Sequence, residues 1–401
     1  MNVVPTPHTA DDIPGMEAES CCATGPLSGL RVVEFLGLGP APFGCMLLAD
    51  LGAEVITLRR PGSSVPALVR NRETLEVDLT DEDECTKVRG LIAAADVLVE
   101  GFRPRVMERL GLGPDDVRTR ESGLIYARMT GWGQTGPLAH TAGHDLNYIA
   151  VTGALHLATR SGSAPLAPAN LLGDFGGGAM YLVTSVLAAL HERSRTGEGA
   201  VLDVSILDGT TYLTSMQHEY RARGTWSDVA GTNRLDTGAP YYDVYPCADG
   251  HFVAVGALEQ PFFVVLLEVL ELDPELAEGR EDPSNWPALR EAIGAALRTR
   301  TRDEWARCAE GTDACLTPVL DLSEAPAHPQ VAHREVLAAG GDGHWTPRLP
   351  SGFVERPASV EKLLRNWRRA SGDDPEAVTA APAQRNRWAS ARTRQENHVE
   401  P

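Results

Sequence analysis

The order of apolar runs, Gly/Pro loops and helical stretches predicts an α/β protein built on a parallel sheet. Residues 30–36, LRVVEFL, read as a buried strand, followed by a Gly/Pro loop from Gly37 to Pro42, an apolar helix through Leu51 and the next strand, AEVITL. Parallel neighbours need a crossover connection, so a strand–loop–helix–strand unit marks a parallel sheet. DVLVEG from Asp96 and GLIYARMT from Gly123 extend the pattern as further strands with helices between them.

The loop GLGPAPFG does not match GxGxxG, because prolines occupy it. Pro40 and Pro42 stiffen the backbone instead, which argues against a dinucleotide cofactor at this turn. Arg59-Arg60-Pro61 close the second strand, and further arginines follow at Arg70, Arg72, Arg103, Arg105 and Arg109. Guanidinium groups suit phosphate recognition, although solvated surface arginines leave the same trace. Residues 179–193 read as a helix rich in Leu, Val and Ala; VLDVSILDGT from Val201 starts as a strand and continues helical to about Tyr220. In GHFVAVGALEQPFFVVLLEVLEL, Glu259 ends a strand-like run at a bend, as a helix-start acid. Residues 286–310 read as helices, and CLTPVLDLSEA from Cys315 as a return strand and turn.

A chain of 401 residues has room for two domains or one large one, and 43% hydrophobic with 23% charged residues is ordinary for a globular protein. The formal net charge of −19 argues against nucleic acid or an anionic membrane as partner, but leaves room for a polyanionic ligand held by local arginines. No apolar run in the sequence approaches the ~20 residues of a bilayer span. The first residues, MNVVPTPHTADDIPGMEAES, lack a signal-peptide pattern and read as a flexible lead-in, so a cytoplasmic protein is expected. Seven scattered cysteines without CxxC spacing make structural zinc and a disulfide framework poor readings, and no metal site is expected.

The chemistry concentrates between Tyr126 and Gly178. Gly143-His144-Asp145 precedes an apolar run with Tyr148 one turn on, and Gly173-Asp174-Phe175 leads into Gly176 to Gly178. His144 titrates near neutrality and can give or take a proton. Asp145 reads as an N-cap or first-turn residue whose backbone N–H could hold an oxyanion. The glycines after Asp174 permit close approach of substrate, and shielding from water would raise the pKa of that carboxyl. An acid and a base could thus face one carbon atom from opposite sides. On pattern alone, a His-Asp pair at a helix start is more often a cap, and Asp before glycines more often a turn.

Longer motifs decide between these readings. GPLSGLRVVEFLGLGPAPF from Gly25, MLLADLGAEVITLRRP from Met46, ADVLVEGFRPRVMERLGLGP from Ala95, the Tyr126–Gly178 stretch, GAPYYDVYPCADGHFVAVGALEQPFF from Gly238 and DACLTPVLDLSE from Asp313 resemble the family III coenzyme A transferases. Within them the likeness is to the α-methylacyl-CoA racemases, over roughly residues 25–365. The resemblance implies a Rossmann-like large domain, a smaller α+β domain and an interlocked homodimer. It divides the chain into a flexible extension (1–24), a large coenzyme A-binding domain (25–205), a helical linker (206–240), a small domain (241–330), a return to the large domain (331–370) and a mobile tail (371–401).

The implied reaction is inversion at the carbon next to a coenzyme A thioester, with His144 and Asp174 as the two bases. The N–H near Asp145 would hold the enolate oxygen, and Glu259 would support His144 from the partner subunit. The resemblance places Arg60, Arg103 and Arg109 at the coenzyme A site, with the backbone around Val77, Leu79, Gly101 and Phe102 beside the nucleotide, and Gly143 and Tyr148 nearby. No cofactor is implied beyond the coenzyme A of the substrate. Rival readings are a transferase with Asp174 as nucleophile, another enolate reaction such as elimination or a double-bond shift, and a coenzyme A-binding protein without catalysis. In SMQHEYRARGTW from Ser215, Met216 is the one methionine, followed by Gln217, His218, Glu219 and Tyr220, where the resemblance leads one to expect a methionine-rich surface; Arg234 likewise stands at an expected apolar position. These departures read either as surface drift on a helix face turned to solvent or as the mark of a smaller or more polar acyl group in a specialised pathway.

Overall fold

The structure, a computed structural model, describes residues 25–66, 68–118, 123–340 and 343–349. The expected extension (1–24), the tail (371–401) and the part of the return segment beyond 349 lie outside the described residues. The chain divides into two units: residues 25–149 and 170–212 belong to one, Ala150–Ala169 and Leu213–Arg348 to the other.

The first unit carries a six-stranded sheet in the order β3-β2-β1-β4-β5-β6, formed by β1 (Arg31–Phe35), β2 (Glu54–Arg59), β3 (Glu73–Glu76), β4 (Val97–Glu100), β5 (Ile125–Thr130) and β6 (Val201–Ser205). Every pairing is parallel. Alternation along the strands builds two cores. Val32, Val55, Val97, Val99, Ala127 and Met129 face one side, under α1 (Pro40–Asp50) and the long helix Met180–Thr196. Val33, Phe35, Ile56, Leu58 and Leu98 face the other, under Val88 and Ile92 of α2 (Glu82–Ala94). Helices on both faces of a parallel sheet are what the βαβ pattern predicts. Strand β3, ETLE, has no apolar run to announce it; it pairs with β2 from Ile56↔Glu73 to Arg59↔Glu76.

Arg70 and Arg72 are held in ion pairs within the fold. Arg70 pairs with Asp50. Arg72 is fully buried against Glu34 of β1, which also accepts from the Thr57 hydroxyl at 2.6 Å. The second Arg72 nitrogen donates to Pro42 O at 3.0 Å, so this buried pair braces the loop after β1. Burial pushes the Glu34 carboxyl up, and Arg72 opposes that shift.

The second unit holds a three-stranded antiparallel sheet, β7 (Tyr242–Pro246), β8 (Phe252–Gly256) and β9 (Leu316–Pro318), with a separate hairpin of β10 (Leu337–Ala339) and β11 (Trp345–Pro347). Two departures from the expected boundaries stand out. Residues 150–169, which the sequence reading kept inside 25–205, join this unit: Arg160 pairs with the buried Asp243 at 2.6 Å, and a His156 ring nitrogen meets Asp228 O at 2.9 Å. Residues 331–348 also group here rather than returning to the large domain.

Candidate active site

Three segments of the first unit converge on Asp174. The first is the loop after β1. Gly39, at φ 65°, occupies the left-handed region, and a methyl group there would lie 2.8 Å from Asp174 Oδ2. Glycine is therefore required both for the turn and for the approach of the carboxylate. The second is α4 (Asp145–Val151), numbered after α3 (Val106–Arg109). The third is Leu171–Ala179, LLGDFGGGA, a π-helix with Asp174 in its first turn that runs on into α5 (Met180–Thr196).

Wide turns of this kind leave room for close neighbours and concentrate at functional sites. The glycines expected to expose Asp174 to substrate also let the helix itself be approached. A methyl group at Gly177 would lie 2.2 Å from Thr210 Oγ1 of α6 (Ile206–Leu213). Together the π-turns and α5 form one helix, Leu171–Thr196, long and apolar enough by length and composition to cross a membrane, although no bilayer-length run was expected from the sequence. Leu182, Val183 and Val186 on it are buried in the sheet core, which accounts for the apolar composition.

His144 is exposed at the head of α4, and its backbone N–H donates to the Asn147 side chain at 3.1 Å. Asp145, the first residue of the helix, is 6% exposed, and its Oδ2 accepts the Asp174 backbone N–H at 2.6 Å. Its other oxygen is buried without a hydrogen-bond partner. The Asp174 carboxyl is raised above the ordinary aspartate range, first by burial and further by the neighbouring Asp145 charge. The Asn170 amide, donating at 3.3 Å, and the nearby His144 oppose that rise. His144, Asp145 and Asp174 are thus brought together. Sequence reading missed Gly39 and Asn170; the spacing of Asn170 four residues before Asp174, on one helical face, was the available signal.

Tyr148 donates to Gly143 O and packs edge-on against Trp132, ring centroids 4.7 Å apart. Burial raises its hydroxyl pKa, Asp174 adds to the rise, and Arg103 opposes it. The Arg103 loop, Gly101–Arg103, follows β4 and is held by Glu100: the Phe102 N–H donates to its carboxylate at 2.7 Å, and Arg128 of β5 bridges Glu100 and Glu108. Arg60 follows β2 directly, and Arg109 ends α3. Arg60, Arg103 and Arg109 are exposed, and no ion pair holds them among the described residues. Val77, Leu79 and Phe102 are partly buried against the core under α2.

The loops after β1 and β4 are where connections leave the sheet in opposite directions. Ligands of open α/β sheets bind at that switch point, outside the carboxyl ends of the strands. Gly39 in the loop after β1 meets Asp174, and the Gly101–Arg103 loop follows β4. Glu259 belongs to the second unit, where it is exposed at the N-cap of α8 (Gln260–Val269), numbered after α7 (Ser215–Ala222). Among the described residues no group of three or more His, Cys, Asp or Glu is placed to hold a metal.

Comparison with known proteins identifies the family. The model of CoA-transferase family III matches residues 27–363. The chain belongs to that family. It is 41% identical to α-methylacyl-CoA racemase of Mus musculus, over 85% of this chain and 89% of that protein. Identity to α-methylacyl-CoA racemase of Homo sapiens is 39%, over 83% and 87%. Among solved structures, a CAIB/BAIF family protein from Brucella suis superposes with a TM-score of 0.71, at 24% identity, over 84% of this chain and 95% of that one, a likeness of fold. The family III fold expected from the motifs is therefore the fold observed.

Proposed function

We propose that the protein is an isomerase that inverts the α-carbon of a 2-methylacyl-CoA or related thioester by two-base proton transfer. The observation that carries this reading is the junction of His144 with a carboxyl of raised pKa, Asp174. A general base works best when its pKa lies near the working pH, and burial moves Asp174 that way. One residue takes the α-proton, the C–H electron pair passes into the enolate, and the other residue returns a proton to the opposite face. The Asp145 N–H at the head of α4 would hold the enolate oxygen. Arg60, Arg103 and Arg109 would bind coenzyme A phosphates, with the nucleotide beside Val77, Leu79, Gly101 and Phe102. In an interlocked homodimer, Glu259 of the partner subunit would support His144. The likeness to the two racemases supports the same reading.

The acyl group is proposed to be smaller or more polar than a long branched chain. Glu219 of α7 pairs at 2.7 Å with Arg223, just past its end, and Arg221 pairs with Asp228 at 2.9 Å, so the helix that carries Met216 also carries charge. Arg234 is already paired with Glu281, which leaves it no need of an anionic substrate. A clear preference for long apolar 2-methylacyl-CoA would refute this.

The deciding experiment incubates single-enantiomer 2-methylacyl-CoA thioesters in deuterated water. Deuterium uptake with inversion, lost in His144→Ala and Asp174→Ala, is expected. Uptake without inversion points to another enolate reaction. No uptake but transfer of coenzyme A to a free acid makes Asp174 the nucleophile of a transferase. Tight binding with neither reaction leaves a coenzyme A-binding protein.

A further inference from the structure

We infer that Arg280 is the residue that positions Glu259: it clamps the corner from which Glu259 projects. This rests on the reading of Glu259 as the support of His144. Strand β8 ends at Gly256 and α8 begins at Gln260, so the chain turns within Ala257, Leu258 and Glu259. The turn is tight, with the Leu258 N–H returning to Gly256 O at 2.9 Å. The carbonyls of Ala257 and Leu258 have left the sheet ladder and need donors. Arg280 supplies both: one guanidinium nitrogen donates to Ala257 O at 3.2 Å, the other to Leu258 O at 2.6 Å.

The clamp is itself held. Arg280 is 4% exposed, its guanidinium lies 4.5 Å from the Tyr241 ring centroid and 5.2 Å from that of Phe263, and Glu281 balances its charge at 2.9 Å. The Trp286 indole N–H fixes the Arg280 carbonyl at 2.8 Å. A buried cation on two carbonyls is a costly way merely to close a turn, and its Nε is buried without a hydrogen-bond partner. What the clamp fixes is the residue next along, Glu259, whose side chain makes no capping hydrogen bond and is exposed. Lysine keeps the charge but not the planar fork, so it cannot hold both carbonyls in one geometry.

A double-mutant cycle on the full-length protein tests this, with kcat and KM for α-proton exchange, the pH–rate profile and the melting temperature as readouts. Arg280→Lys is expected to lower kcat roughly 10- to 100-fold with KM nearly unchanged. It should move the pH profile in the direction that Glu259→Gln moves it, and the double variant should be no slower than Glu259→Gln alone. A loss that adds in full to that of Glu259→Gln overturns the proposal, because Arg280 then acts on stability in general. Wild-type kcat in Arg280→Lys overturns it as well. Wild-type exchange in Glu259→Gln overturns the role given to Glu259, and the proposal with it. Should Arg280→Lys not fold, Arg280→Gln, whose amide still reaches one carbonyl, takes its place in the cycle.

Discussion

The carboxylate of Asp145 accepts the backbone N–H of Asp174 at 2.6 Å. One contact therefore joins the head of α4, which carries His144, to the π-helix that carries Asp174. It also sets a negative charge beside a carboxyl already raised by burial.

Replacing Asp145 by Asn keeps a side-chain oxygen for the Asp174 N–H and removes that charge. The Asp174 pKa should fall, so the acid limb of the kcat profile moves to lower pH. A drop in kcat of about 10-fold or more is expected, since general acid–base steps of this kind contribute about 10²–10⁴-fold. An acid limb that stays in place would show that Asp145 does not tune Asp174.

Asp174 itself links activity to stability. Its pKa is raised in the fold above the ordinary 3.8, so the neutral form is the one the fold favours. The protonated group costs nothing below its ordinary pKa, and the fold loses stability as the pH rises through the folded value. Asp174→Asn, always neutral, should melt higher than the wild type above that window and equal to it at lower pH, while losing exchange activity. Melting curves across the pH range read this directly.

Gly39→Ala places a methyl group 2.8 Å from Asp174 Oδ2 at a φ of 65°. Backbone strain of about 1–3 kcal/mol is expected. The displaced carboxylate should lower kcat by up to about 100-fold. Stopped assays of exchange, with melting temperatures alongside, separate the two effects.

Arg72 and Arg103 should behave oppositely. Arg72→Ala strands Glu34 as an unpaired buried charge and should cost about 3–5 kcal/mol in denaturant unfolding. Arg103→Gln, at an exposed position, should change stability by less than about 0.5 kcal/mol. It should raise KM for the coenzyme A thioester about 10-fold, by the loss of a charged hydrogen bond. Equal effects on stability would remove the distinction between brace and ligand contact.

Much of the first unit was legible in the sequence, because its central strands are apolar on both faces and its loops carry Gly and Pro. β3 was not, since ETLE has no burial pattern and owes its strand to the edge of β2. The π-helix was equally hidden: glycines announce close approach, not the width of the turn. Segment 150–169, expected within the domain 25–205, groups with the second unit, where Arg160 pairs with Asp243.

What the sequence determined by itself was the alternation of strands and helices and the polar motifs around His144 and Asp174 that carry the family resemblance. Both are properties of short stretches, and motif and periodicity record them. Only the tertiary structure decided which arginines are exposed without an ion pair and which are buried braces, and which acid lies beside which. It also decided that Gly39, far from Asp174 in the chain, shapes the space around it. Those relations are set by burial and distance between segments remote in sequence, and no local pattern encodes them.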